Sequence, residues 1–136
     1  PSMAAFDAPT REQCTVRRER TNTPLQALTL MNDPQFVEAA RHFAQRTLLH
    51  APDDLARIRW MYRTALIRPP ARADEIELLA AVKDFRRVFG AAEDDAKKLI
   101  ATGDSKPDPS LAPRELAAWT MAANLLFNRD DFINQN

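Results

Sequence analysis

Glycine is scarce in this sequence, with two residues in 136 against ten prolines. Tight hairpin turns depend on glycine, whereas proline is common in the first turn of a helix and between helices. The single cysteine, Cys14, excludes an internal disulfide and a thiolate metal cluster. This composition therefore predicts an all-α chain and argues against a sheet built from hairpins.

Net charge and long apolar runs are missing as well. Nineteen basic and nineteen acidic residues give a formal net charge of zero, so no overall field attracts nucleic acid or an anionic membrane. No apolar run approaches the roughly 18 residues that a membrane-spanning helix needs. The sequence therefore predicts no nucleic-acid partner and no membrane span, while 45% hydrophobic residues are enough for one globular core.

Two capping motifs predict helix starts in the first third of the chain. Thr23 and Asp33 each precede a proline, which suits a cap followed by the first helical position. The first helix should end near Asn32, and its apolar stripe comprises Leu25, Leu28 and Met31. The second should span residues 34–49. Its residues expected to face water are Glu38, Arg41, Gln45 and Arg46.

The remaining chain shows four further stretches with apolar residues at helical spacing. Asp53 is the predicted cap of the first, and the others are expected over residues 72–89, 92–102 and 113–127. Gly90 is the expected stop of the second of these. The four stretches are separated by loops, of which the longest, residues 103–113, contains three prolines.

These elements predict one helical domain over residues 1–136. Residues 1–22 lack helical and strand periodicity, and we expect them to form an extended arm laid over the domain. Residues 23–132 should form an orthogonal bundle of five to six helices, with residues 103–113 as a proline-rich loop. The predicted fold class is therefore all-α.

One basic segment is a candidate ligand site. Guanidinium groups pair well with carboxylate or phosphate, and a helix start beside them offers free amides. The segment comprises Arg17, Arg18, Arg20, Thr21, Asn22 and Thr23. The alternative is that the arginines pair with acidic residues of the same chain and that the polar residues shape the turn. The sequence favours this structural interpretation.

A second candidate is an interaction surface on the helix after Asp53. Arg59 and Arg63 flank Trp60, and arginine beside an aromatic ring is common where protein surfaces meet. The alternative is that these arginines cover the outside of this helix.

Residues for catalysis or metal binding do not form a recognisable pattern. The two histidines, His42 and His50, are eight residues apart, which is poor spacing for binding one metal from a helix. No Cys-x-x-Cys-His, glycine-rich phosphate loop or nucleophile elbow occurs. The sequence therefore predicts no catalytic residue, metal or cofactor in this chain.

Several sequence blocks closely resemble the planctomycete PSD1 family, also called the DUF1553 domain. The resemblance extends over nearly the whole chain, and its blocks are residues 6–9, 11–28, 31–40, 62–66, 68–70, 75, 125–128 and 131–132. Ile67 and Ala71 depart from the glycine and threonine usual in the family. Without that glycine and threonine the turn over residues 67–72 lacks a helix stop and a cap, so we expect it to be less sharply defined. The charge of Asp74 near the start of the next helix should compensate in part through the helix dipole.

The resemblance implies a position at the C-terminus of a large extracytoplasmic protein, with this chain as the C-terminal portion of the family domain. Family members resemble proteins with an upstream DUF1549 domain, and many carry a separate c-type cytochrome domain, so haem is expected there and not in this chain. The implied partners are upstream domains of the same parent and, through the parent, polysaccharide. We therefore expect a non-catalytic structural or interaction module. The alternative is that residues 17–23 complete a ligand or catalytic site with upstream sequence.

Overall fold

The computed structural model describes residues 33–129, which form five helices and no strand. The helices are α1 (Pro34–His50), α2 (Asp54–Leu66), α3 (Arg72–Gly90), α4 (Glu93–Ile100) and α5 (Pro113–Phe127). The predicted all-α class is confirmed. The arm over residues 1–22, the helix predicted over 23–32 and the end of the bundle beyond residue 129 lie outside the described residues.

Helix α5 is the centre of the bundle. Residues 116–124 are all buried, because α1, α3 and α4 pack around α5. Its apolar composition explains this position, since a helix that is apolar on every side needs cover on every side. No helix among residues 33–129 has the length and hydropathy of a membrane-spanning segment.

The predicted caps of α1 and α2 are formed by local hydrogen bonds. The Asp33 carboxylate accepts from the Gln35 amide at 3.0 Å, and the Asp53 carboxylate accepts from the Ala56 amide at 2.8 Å. Each bond satisfies an amide that has no partner within the helix. The starts of both helices are therefore set by sequence neighbours.

The turn between α2 and α3 contains one left-handed residue and one side-chain cap. Helix α2 ends at Leu66, and Ile67 adopts the left-handed conformation with φ 58° and ψ 34°. The Asp74 carboxylate accepts from the Ala71 amide at 2.9 Å, a hydrogen bond that was not part of the compensation expected from its charge at the start of α3. Ile67 therefore carries the backbone strain that glycine would avoid, and the less sharply defined turn stays a prediction.

Asp74 also joins this turn to the end of α5. Its carboxylate lies 3.4 Å from the Arg68 guanidinium and 3.2 Å from that of Arg129. Both guanidinium groups lie over the ring of Tyr62, at 5.5 and 5.8 Å from its centroid. Since Tyr62 is buried, this cluster closes one end of the core.

Two predicted element ends differ in detail. Helix α3 does end at Gly90, but Gly90 has no positive φ, and the following Ala91 remains in the right-handed helical region. Helix α4 is shorter than the predicted 92–102, so the loop before α5 begins at residue 101. The left-handed glycine is instead Gly103, with φ 103°, where that loop passes Glu38.

Replacing Ile67 by glycine is expected to raise the free energy of unfolding by about 1 kcal/mol. The side chain is 76% exposed, so its removal sacrifices little apolar burial, whereas the left-handed strain is relieved. Urea denaturation measures the difference. Ile67→Ala is the matched control, because it removes the same exposed atoms but keeps the Cβ that causes the strain. Equal stabilities of the two variants would contradict this explanation.

Candidate functional site

The most concentrated polar cluster joins α1 to the loop before α5, and its centre is Arg41. The Arg41 side chain is fully buried. One terminal nitrogen donates to the Gln45 side chain at 3.0 Å and to the Lys106 carbonyl at 3.2 Å. The other donates to the carbonyl and hydroxyl of Ser105 at 2.9 and 2.7 Å. The prediction that Arg41 faces water is therefore wrong, because the loop covers it.

Glu38 binds the same loop from the preceding turn of α1. Its carboxylate accepts from the amides of Asp104 and Ser105 at 3.2 and 2.7 Å, and from the Ser105 hydroxyl. The hydrogen bonds from Ser105 and Asp104, with the charge of Arg41, lower the pKa of Glu38 to about 2. Glu38 is consequently ionised over the whole physiological range and is a poor base.

His42 completes this cluster but does not form a hydrolytic triad. Its Nε2 lies 3.0 Å from the Ser105 hydroxyl and 4.0 Å from the Glu38 carboxylate. A serine triad needs the acid on the opposite ring nitrogen, and its serine proton must pass to the histidine. Here Glu38 approaches the same nitrogen and itself accepts from the serine. The cluster is therefore suited to holding the loop, and its chemistry does not favour nucleophilic attack.

A second cluster links α2, α3 and α5 through Arg86. Its guanidinium donates to both oxygens of Asp54, at 2.9 and 2.7 Å, and it also binds the Glu115 carboxylate. Glu115 accepts from the indole nitrogen of Trp119 at 2.9 Å as well. Arg57 lies 3.6 Å from Asp54 and 3.8 Å from Glu115. Two cations and two carboxylates therefore balance each other where three helices meet.

The electrostatics of this second cluster do not favour acid catalysis. The hydrogen bonds from Arg86 lower the pKa of Asp54. Burial acts to raise the pKa of Glu115, but the hydrogen bonds from Arg86 and Trp119 lower it overall. A carboxyl that donates a proton near neutral pH needs a raised pKa. The pair is therefore better suited to holding the helices together.

The predicted interaction residues on α2 have different surroundings. Arg59 is exposed, and its Nε donates to the Glu75 carboxylate at 2.8 Å. Trp60 is half-buried and stacks on Phe43 of α1, with ring centroids 5.5 Å apart. Arg63 is exposed one turn further along α2. The interaction surface therefore stays a prediction, and the contact of Trp60 with α1 was not anticipated from the sequence.

Two residues that the sequence did not assign to this surface lie beside Trp60. His50 stacks on the Trp60 ring at 5.0 Å, and the Arg46 guanidinium lies 5.4 Å from its centroid. Arg46 and His50 are four residues apart on α1 and therefore share one face of that helix. The four-residue spacing in the sequence already indicated that Arg46 and His50 share a face of α1. Only the packing of α1 against α2 identifies Trp60 as their neighbour.

The other sequence-predicted site cannot be located in the structure. Residues 17–23, with Arg17, Arg18, Arg20, Thr21, Asn22 and Thr23, lie outside the described residues, as does Cys14. His42 and His50 contact different partners, Ser105 and Trp60. Among residues 33–129 no three histidine, cysteine, aspartate or glutamate side chains are grouped closely enough to hold a metal ion.

Comparison with known proteins gives one positive result. No curated protein and no solved structure is significantly similar to the chain. The family model described as PSD1, a protein of unknown function (DUF1553), matches residues 1–82. This match includes α1 and α2 and ends within α3, so it covers more than half of the sequence. The chain therefore belongs to the PSD1 (DUF1553) family.

Proposed function

We propose that this chain is a structural and interaction module, without a reaction of its own, at the C-terminus of a large exported multidomain protein. Its partner is an acidic surface of the upstream part of the same parent. The binding residues are Arg46 and His50 of α1 with Trp60 and Arg63 of α2, which we call the cation–aromatic surface. The observation that carries this proposal is the position of Trp60, which stacks on Phe43 and His50 of α1 and lies beside the guanidinium of Arg46.

The charges of the cation–aromatic surface are available to a partner. Within residues 33–129, no carboxylate lies within ion-pair distance of Arg46, His50 or Arg63. By contrast, Arg59 on the same helix is paired with Glu75. Two arginines, Arg46 and Arg63, left without a carboxylate partner in a chain of zero net charge favour an acidic partner, because opposite potentials attract across an interface.

Trp60 is suited to anchor such a contact. Tryptophan and arginine are enriched among the residues that dominate binding energies, and part of the Trp60 side chain remains accessible. Its contacts with Phe43 and His50 restrict the ring before a partner arrives, which lowers the entropy cost of binding. The Trp60 ring and the neighbouring arginine charges are therefore combined on one surface whose ring is already held in position.

The charge requirement is tested by the affinity of chain 1–136 for the upstream portion of its parent. Arg63→Ala is expected to weaken binding about tenfold, because it removes a charge-assisted contact of roughly 1.5 kcal/mol. Lys98→Ala on α4 is the matched control, since it removes an exposed cation from a different helix and should leave the affinity unchanged. Equal effects of both variants, or no association at all, would contradict the proposal.

The expectations of c-type haem in another domain, of polysaccharide as an indirect partner and of an extracytoplasmic location stay predictions from the family resemblance. The alternative ligand site over residues 17–23 also stays a prediction.

A further inference from the structure

His50 differs from the other members of the cation–aromatic surface in its acid–base chemistry. It is the last residue of α1 and is exposed, and its ring stacks on that of Trp60 with an angle of 27° between the two planes. Histidine ordinarily changes its charge between about pH 5 and about pH 8, whereas arginine stays charged throughout this range. The surface therefore has a fixed charge, from Arg46 and Arg63, and a variable one.

The basic groups around His50 come from two helices. Arg46, four residues earlier on α1, lies over the same Trp60 ring at 5.4 Å from its centroid. From α2, Arg57 reaches the chain directly after His50, because its Nε donates to the Ala51 carbonyl at 2.7 Å. Arginine keeps its charge near neutral pH, so neither group adds a second titration to that of His50.

The carboxylates of the neighbouring elements have other partners. Asp53 caps α2, whereas Asp54 and Glu115 share one arginine of α3. On α4, Glu93 pairs with basic residues of α4 and α5. Within residues 33–129, no carboxylate lies within ion-pair distance of His50. A proton on His50 therefore adds a positive charge that the described part of the chain does not neutralise.

The contacts of His50 suit a charged ring as well as a neutral one. The face of an indole attracts a cation, and the C-terminal end of a helix carries partial negative charge. His50 has both neighbours, because its ring lies 5.0 Å from that of Trp60 and its backbone ends α1. A protonated imidazole can therefore keep the stacked position, so that the surface gains charge without losing its shape.

We propose that protonation of His50 regulates the cation–aromatic surface, which binds its acidic partner more strongly at about pH 5.5 than at about pH 8. This inference rests on the proposed function and adds the condition under which the surface binds best. Aspartate and glutamate side chains of ordinary pKa stay largely ionised at about pH 5.5. The charge that changes across the interface is therefore that of His50.

The first test is isothermal titration of the upstream portion of the parent with chain 1–136 at both pH values. The affinity is expected to be about fivefold higher at the lower pH, as one added charge at an exposed contact would produce. In His50→Gln this ratio should fall to about one, because the variable charge is gone. His42→Gln is the matched control and should keep the ratio, since it removes the other histidine of the chain, which contacts Ser105.

Tryptophan emission tests the switch without a partner. A protonated imidazole stacked on an indole quenches its emission, so the emission of chain 1–136 should fall from about pH 8 to about pH 5.5. Trp119 should not contribute, because its neighbours Arg57, Arg86 and Glu115, whose pKa is lowered, keep their charges over this range. The loss should be absent from His50→Gln and present in His42→Gln.

The possible outcomes separate this inference from the proposed function. Binding with the same pH ratio in the unsubstituted chain and in His50→Gln would overturn the regulation and leave the proposed function intact. Emission that does not fall with pH in the unsubstituted chain, or that falls equally in His50→Gln, would also overturn the regulation. Absence of binding at both pH values would contradict the proposed function and the regulation with it.

Discussion

Arg41→Met is expected to lower the free energy of unfolding by about 3 kcal/mol. Methionine fills much of the same volume but donates no hydrogen bond, so the carbonyls of Ser105 and Lys106 lose their buried donor. Water cannot easily replace it, because the arginine side chain is fully buried. The loop before α5 should loosen in consequence, and the first turns of α1 should lose their cover.

Urea denaturation measures this loss, and Arg87→Met is the matched control. Arg87 is exposed and pairs with Asp84 three residues earlier, at 3.0 Å. Such a surface pair contributes roughly 0–1 kcal/mol. A loss for Arg41→Met no larger than that for Arg87→Met would show that the loop does not depend on the buried guanidinium.

Trp119→Ala is expected to lower the free energy of unfolding by about 3–5 kcal/mol. Trp119 is the largest of the fully buried side chains among residues 33–129, and it lies in the central helix α5. Its removal leaves a cavity, deprives Glu115 of the indole donor and removes the ring over which Arg57 and Arg86 lie. Packing and the second polar cluster are therefore weakened together.

The two tryptophans provide an internal control for this prediction. Trp60 is half-buried, so Trp60→Ala should cost clearly less stability than Trp119→Ala in the same thermal or urea denaturation experiment. If both substitutions destabilised the chain equally, Trp60 would belong to the core and would not be free to bind a partner. The comparison therefore separates a core role from a surface role for the same residue type.

Features of the fold that depend on sequence neighbours were predictable. Asp33 and Asp53 cap helices through residues two and three positions away, and the span of α5 follows from its apolar spacing and from Pro113 at its start. The left-handed Ile67 was not predictable in this way, because its conformation depends on how α2 and α3 are held around the turn.

The polar clusters were not predictable, because their partners are distant in sequence. Arg41 has the helical position of a solvent-facing residue, and only a loop 64 residues later covers it. His42 and Ser105, likewise, are brought together over 63 residues. Of the candidate interaction surface, Trp60 and its flanking arginines could be identified within α2. The contribution of Arg46 and His50 required the packing of α1 against α2.

The central claim is that the cation–aromatic surface binds the upstream part of the parent protein. Isothermal titration of that upstream part with chain 1–136 and with Trp60→Ala tests it most directly, once circular dichroism has shown that both are equally helical. The account predicts measurable binding that Trp60→Ala weakens about 30-fold, as expected of a residue worth about 2 kcal/mol at an interface. Binding of equal strength by both proteins would contradict it.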